Sequence, residues 1–407
     1  MNASLRRLIA ASGASNLADG AFTIALPLVA LSITRSPGSF AAVTVIGRLP
    51  WLLFSLLAGA LADRLDRRII MISVNLTRAG LIAALAAIVG ADRAEPWILY
   101  AFAFTLGTGE TLFDTAGQSM IPSIVDADRL DHANGRLYAV ELTANQFIGP
   151  PLAAVVAGLT LAGALAMSSG LYLLAGIVLM TVPGSFRTHG ADRTTTLRHE
   201  ISDGVGYLAR HRLLRVLAVC VGVSNLASTA TMAVLPLHAI APGPLGLNEA
   251  GYGFLITAIA GGAVLGTLAV DRLHDWLGTR PLLLLSTLSF PLFSLAPVVT
   301  DSPWLVGTGL FVAGVVAVGW NIVTVSIRQR IVPDQLLGRV NAGYRFVAWG
   351  TMPLGAALGG LVAITFSIRA ALFTAAAISA VCTTIAYFGV TDERLEASTP
   401  AEAANLR

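Results

Sequence analysis

Apolar runs of about 20 residues, separated by short polar turns, recur along the whole 407-residue chain. A hydrocarbon core of about 30 Å is crossed by about 20 mostly apolar residues in helical form, because backbone N–H and C=O groups must pair within the segment there. The runs read as spans over 8–34, 40–62, 69–90, 97–122, 136–160, 164–184, 213–240, 252–273, 281–300, 303–328, 340–366 and 368–390. The fold class implied is an all-α polytopic membrane protein with twelve transmembrane helices. Composition agrees: 55% of residues are hydrophobic and only 12% charged, against about 25% charged in soluble domains. Turn chemistry marks the breaks at Ser36-Pro37-Gly38, Pro183-Gly184, Pro242-Gly243-Pro244 and Asp301-Ser302-Pro303. The chain starts with basic residues, but the apolar stretch runs on to Ile33. That is too long for a signal-peptide core, so an uncleaved first span is expected.

All 26 basic residues are arginine. Without lysine there is no Walker-A site, no retinal Schiff base and no pyridoxal aldimine, so the chain does not hydrolyse ATP by a P-loop. No HExxH, GxSxG or paired CxxC occurs, and no nucleophile–base constellation marks an enzyme. The six histidines are scattered over loops and span ends, so neither a metal nor another cofactor is expected. Cys220 and Cys382 lie far apart in separate apolar runs and read as packed thiols. The formal +3 charge belongs to membrane-flanking arginines and does not point to nucleic acid. Those arginines cluster on alternate loops: Arg6, Arg7, Arg64, Arg67, Arg68, Arg129, Arg187, Arg193, Arg198, Arg210, Arg212, Arg280, Arg330 and Arg339 on one side, against Arg35, Arg93 and Arg369 on the other. The positive-inside rule then places both termini in the cytoplasm.

The longest loop divides the spans six and six. The expected organisation is an N-terminal six-helix bundle over 1–184, a cytoplasmic linker over 185–212, a C-terminal six-helix bundle over 213–392 and a tail over 393–407. In the linker, Leu197, Ile201, Val205 and Leu208 form one apolar stripe among arginines and histidines, which predicts an interfacial helix. The halves also repeat one another. QSMIP (118–122) and RQRIVP (328–333) both give Gln-x-x-x-Pro. Asn134 and Asn341 open the following spans, GPPLAAVVAG (149–158) matches MPLGAALGG (352–360), and GALAD (59–63) matches GTLAVD (266–271). An inherited six-plus-six repeat is typical of secondary transporters. The spacings Gly262/Gly266 and Gly355/Gly359 predict close helix packing.

The turn GALADRLDRR (59–68) resembles the signature loop of the major facilitator superfamily, with Gly59, Leu61, Ala62, Asp63, Arg64, Arg67 and Arg68 matching. Asp66 replaces the family's second glycine, and a turn conformation is expected there because Asp tolerates it. The resemblance covers the whole chain and implies two pseudo-symmetric bundles in a bacterial inner membrane. It also implies a cytoplasmic latch in which Asp63 meets the start of span eleven, near Arg339 or Arg345. GETLFDTAGQSMIP and GRVNAGYRFVAWGTMPLG are similar to bacterial exporters of the branch containing the enterobactin exporter and macrolide-efflux proteins. Of the Gly-Pro-rich motif of drug–proton antiporters in span five, Gly149-Pro150 remains, with Ala153 and Ala154 in place of glycines.

Four acids lie inside spans: Asp19, Glu110, Asp114 and Glu141. Ionised and facing lipid, together they would cost about 10 kcal/mol, so they must pair, face a cavity or hold protons. Glu110 and Asp114 stand one turn apart on one helix face, where two close carboxylates favour sharing a proton. All four are candidates for proton coupling. For Glu141 a gate ion pair, and for Asp114 a pairing with Arg78 or Arg136, are the structural alternatives. The resemblance implies that spans 1, 4, 7 and 10 line a cavity, which makes Asn16, Phe113, Asn225, Trp320 and Asn321 candidate substrate contacts, with Asn145, Gln146 and Arg345 on the flanks. Helix–helix hydrogen bonding is the alternative for Asn225 and Asn321. The expected function is proton-coupled export of a small amphipathic molecule by alternating access, from a monomer whose partners are its substrate, protons and the bilayer. Proton-coupled nutrient uptake is the alternative reading, and a non-transporting receptor or scaffold the remote one.

Overall fold

The computed structural model describes residues 3–120, 136–137, 140–141, 143–184, 186, 205–332, 340, 343–344 and 346–396, and among these no strand forms. The first half supplies α1 (Ala3–Ile33), α2 (Pro37–Arg64), α3 (Arg67–Gly90), α4 (Pro96–Met120), a π-helical turn (Thr143–Ile148), α5 (Gly149–Leu159) and α6 (Leu161–Met180). The second half supplies α7 (Arg212–Met232), α8 (Glu249–Leu277), α9 (Thr279–Thr287), α10 (Ser289–Val299), α11 (Pro303–Ile331), α12 (Met352–Thr365) and α13 (Ile368–Gly389). Proline opens α2, α4 and α11, where its missing N–H costs nothing and its fixed φ suits the first turn.

Ten stretches among the described residues are long and apolar enough to cross a membrane, with α9 and α10 counting as one. The other two expected spans are α4 and the π-turn that runs into α5. α4 is long enough at 25 residues, but Glu110, Asp114 and a row of threonines make it more polar than its neighbours. The chain is an all-α, multi-pass membrane protein, with ten such stretches among the described residues. Four expected spans are not single regular helices: that over 136–160 passes through the π-turn, that over 213–240 breaks at Ala233 and Val234, that over 281–300 at Leu288 and that over 340–366 at Thr351. Of the linker helix, residues 205–210 are helical, with Leu208 buried and Val205 exposed; Leu197 and Ile201 lie outside the described residues.

Two compact units form, one of residues 1–192 with 239–257, the other of 193–238 with 258–407. In the first, α1 packs on α5 and α6, α3 on α4 and α6, and α2 on α4. A Cβ added to Gly20 would collide with the Asn145 carbonyl, and one on Gly107 with the Gly47 carbonyl. In the second, α7 packs on α12 and α13, α10 on α11 and α13, and α9 on α11. There Gly262 and Gly266 meet the carbonyls of Phe311 and Val315, while Gly355 and Gly359 meet those of Leu226 and Ala230. The small-residue spacings are close backbone contacts, as expected, and the first–fifth pairing recurs as seventh–eleventh.

Arginines at equivalent places staple each unit. Arg68, at the start of α3, donates to the terminal carbonyls of α6: Leu179 at 3.1 Å, Met180 at 2.7 Å and Gly184 at 3.2 Å. Arg280, at the start of α9, donates to Val390 just past α13 at 2.9 Å and to Asp392 at 3.0 Å. A cation at a helix C-terminus meets carbonyls that lack intrahelical partners. Asp66 corrects one expectation. It sits in extended backbone (φ −68, ψ 117) as the N-cap of α3, accepting from Arg68 N, and its other carboxylate oxygen accepts from Phe186 N at 3.1 Å. A glycine there could offer neither bond. Cys220 and Cys382, distant in sequence, meet between α7 and α13 as free, fully buried thiols. Ser224 Oγ donates to Cys382 Sγ at 3.4 Å.

Candidate functional site

The intramembrane acids gather in the first unit. On α1, Ser12, Asn16, Asp19 and Thr23 follow one another at four, three and four residues, a single helix face. α3 faces it with Asn75 and Arg78, and α6 with Tyr172. Asp19 Oδ1 accepts from Arg78 Nη2 at 2.6 Å and from Tyr172 Oη at 2.5 Å. The Arg78 guanidinium also lies over the Tyr172 ring, 4.4 Å from its centroid. Arg78 is 3% exposed and Tyr172 fully buried. Gly109 lets α4 close over this group, since a Cβ there would press on Arg78 Cγ and Cδ at 3.3 Å. Beneath it Ser15 donates to Asn75 at 3.1 Å. Arg78 Nε, Arg78 Nη1 and Asn75 Nδ2 are buried without a protein partner.

The other acids differ in their pairing. Glu110 on α4 meets Arg48 of α2 at 3.3 Å, with both side chains partly exposed. Among the described residues Glu141 accepts only from Ser12, at 3.2 Å. Among the described residues no hydrogen bond or ion pair reaches Asp114. Asp19 and Glu110 are therefore paired with arginine, whereas among the described residues Asp114 and Glu141 are not. A carboxylate that lacks a cation in low dielectric is the one for which a proton is the cheapest counter-charge. Arg78 partners Asp19 rather than Asp114.

Asn16 donates to the Ser12 carbonyl at 3.0 Å and accepts from Asn145 of the π-turn at 3.4 Å. π-turns concentrate at functional sites because they re-aim one side chain within a helix. Gln146 is exposed on the same turn, and Phe113 is buried in an apolar cluster with Leu8, Met71 and Met120. In the second unit Asn225 donates to the Ala348 carbonyl at 2.7 Å, a helix-to-helix bond. Trp320 is buried edge-on against Phe290, their centroids 5.6 Å apart, and Asn321 is exposed. Of the latch residues, Arg339, Arg345 and the side chains of Asp63 and Arg64 lie outside the described residues. Gly59 lies in α2, and the Arg67 backbone N–H donates to the Phe186 carbonyl at 3.5 Å.

Arg48 and Tyr172 are not among the expected site residues, and Arg78 enters the expectation only as a structural partner of Asp114. A signal for the arginines exists in the sequence: four acids inside spans call for cations inside spans, and in the first half Arg48 and Arg78 lie within apolar runs. Tyr172 carries no comparable signal, since a tyrosine in an apolar run reads as ordinary packing.

Known proteins agree with this architecture. Over 397 residues, 94% of each chain, the sequence is 28% identical to an uncharacterised MFS-type transporter, y4rN, of Sinorhizobium fredii. It is 27% identical to the multidrug efflux pump Tap of Mycolicibacterium fortuitum over 376 residues, 86% of each chain. A point mutant of the nucleoside transporter NupG shares the fold with a TM-score of 0.78 at 12% identity, over 95% of this chain and 100% of that one. A bacterial homologue of ferroportin in an inward-facing state gives 0.74 at 15% identity, over 95% and 99%. Residues 1–404 match the family described as transmembrane secretion effector, and the chain belongs to that family of major facilitator superfamily transporters.

Proposed function

We propose that this transporter exports small amphipathic molecules from the cytoplasm in exchange for protons, with both termini on the cytoplasmic side of a bacterial inner membrane. The observation that carries the reading is the uneven pairing of the four acids. Asp19 is locked to Arg78 and Tyr172, and Glu110 to Arg48, while Asp114 has no partner among the described residues and Glu141 only a serine. Asp114 stands one turn from Glu110 and shares its electrostatic surroundings with Asp19, Arg78 and Glu141. Taking up or releasing a proton at Asp114 changes the charge balance of the whole group, and that is how a proton gradient can bias one conformation over another. The similarity to the multidrug efflux pump Tap supports outward transport.

The test is substrate-driven proton movement in everted vesicles, with ethidium as the probe. Asp114→Asn and Glu141→Gln should each diminish proton-coupled ethidium movement, with Asp114→Asn the more severe, while leaving ethidium binding intact. If both variants transport at the wild-type rate with an unchanged pH profile, proton coupling through these residues is wrong.

A further inference from the structure

The second unit holds a half-buried cation that the proposed proton chemistry does not use. Arg328, one turn before the end of α11, places its Cζ 3.8 Å from the centroid of the Tyr344 ring. A hydrogen bond to Tyr344 holds the side chain, but among the described residues Nε and Nη1 are buried with no partner and no ion pair reaches the guanidinium. Tyr344 is 8% exposed, and the neighbouring Val323, Ile327 and Trp320 belong to the apolar core of the unit. The aromatic face and the carbonyl end of α11 both favour a charged guanidinium. Neither satisfies Nε or Nη1. A guanidinium held in apolar surroundings with free donors is matched by an oxyanion, which gains charge-assisted hydrogen bonds that water cannot supply there.

We propose that Arg328 and Tyr344 form a subsite for the anionic group of an amphipathic molecule, a carboxylate or phosphate on an apolar body. The guanidinium takes the oxyanion through Nε and Nη1. The subsite goes beyond the export reading and does not depend on proton coupling, because it is tested by binding at equilibrium. The anion comes either from a soluble molecule or from a lipid headgroup, and the two sources are separated experimentally.

For the soluble source, purified protein is melted with 2-naphthoate and with its neutral match 2-naphthamide. For the lipid source, the protein is melted in nanodiscs of phosphatidylcholine alone and of phosphatidylcholine with phosphatidylglycerol. The expected result is a rise in melting temperature with naphthoate but not naphthamide, or with the anionic lipid but not the neutral one. Arg328→Gln should weaken that response by about tenfold, the loss of one charge-assisted bond, and Arg328→Lys should retain part of it. Equal responses to naphthoate and naphthamide, together with equal melting in both nanodiscs, overturn the proposal with no variant required. So does an anion preference that Arg328→Gln leaves intact. Vesicles that bind naphthoate yet move no protons would break the coupling reading and leave the subsite standing.

Discussion

Each unit sets an arginine over a tyrosine ring, but among the described residues only one of the two arginines has an acid. Arg78 sits 4.4 Å from the Tyr172 centroid and 2.6 Å from Asp19; Arg328 sits 3.8 Å from the Tyr344 centroid with no carboxylate among the described residues. The helix pairings of the two units correspond, so the difference lies in side chains placed on a shared scaffold. All four intramembrane acids fall in the first half of the sequence. The scaffold has been kept twice, while the intramembrane acids stand in one copy and, among the described residues, a cation without an acid partner stands in the other.

This contrast predicts unequal costs of removing the two arginines. Arg78→Met strands the buried Asp19 carboxylate and should destabilise the protein by about 3–5 kcal/mol, the range for breaking one side of a buried pair. Asp19→Leu with Arg78→Met should recover much of that loss, since removing both charges is often neutral. Arg328→Met strands no charge, gives up a hydrogen bond to Tyr344 and a ring contact of about 0.5–2 kcal/mol, and removes a half-buried charge. Its net effect should be under about 1 kcal/mol. Thermal and denaturant unfolding in detergent measures both. Equal losses at the two arginines would mean that Arg328 has a structural partner and would erase the distinction.

Where the units are alike, the losses should match. Gly20→Ala drives a methyl group into the Asn145 carbonyl, and Gly355→Ala drives one into that of Leu226. Each should cost about 1–3 kcal/mol by overpacking. A large difference between them would show that the π-turn yields where the regular seventh–eleventh contact cannot.

How much of this is visible in the sequence follows from what each feature costs. Spans are legible because the bilayer forces about 20 apolar residues on every crossing, and the acids are legible because each breaks such a run. Partners are not legible. Asp19 meets residues 59 and 153 positions away, Arg78 and Tyr172, and helical periodicity says which face a side chain is on but not which helix it faces. Spacing alone leaves Arg78 as a partner for Asp114, and only the packing of α1 beside α3 and α6 gives it to Asp19. Asp66 shows another limit. The motif marks it as a departure from glycine, whereas its carboxylate caps a helix and tethers Phe186, a role that depends on a segment 120 residues later. The break at Leu288 lies just before Pro291, and the π-turn runs directly into Gly149-Pro150-Pro151, so Gly and Pro mark a change in both apolar runs without saying what form it takes.

The arginine staples give a smaller asymmetry. Arg68 satisfies three carbonyls of the α6 terminus, while Arg280 satisfies one carbonyl and an exposed aspartate. Arg68→Ala should cost about 1–2 kcal/mol, and Arg280→Ala under about 1 kcal/mol, since an exposed ion pair contributes little. The melting temperature at low and high salt separates them, because the Arg280–Asp392 pair weakens with screening and the Arg68 bonds to carbonyls hold.

The smallest expected effect tests how the units cap their helices. Asp66 caps α3 with a carboxylate, but His211 caps α7, its Nδ1 accepting from Leu214 N at 3.4 Å. Only the neutral imidazole can accept there, and burial pushes the His211 pKa below its ordinary value of 6.5. A base whose folded pKa is depressed contributes stability above its unfolded pKa and loses it as pH falls below that value. Protonation also places a cation at a helix N-terminus, where the macrodipole opposes it. Lowering the pH from 7.5 to 5.5 should therefore remove about 0.5 kcal/mol, and His211→Asn, a cap that does not titrate, should abolish that part of the pH response. If wild type and His211→Asn lose stability in parallel between pH 7.5 and 5.5, the sensitivity belongs to another group, and the half-buried histidine is only packing against Tyr207, with which it stacks at 6.3 Å.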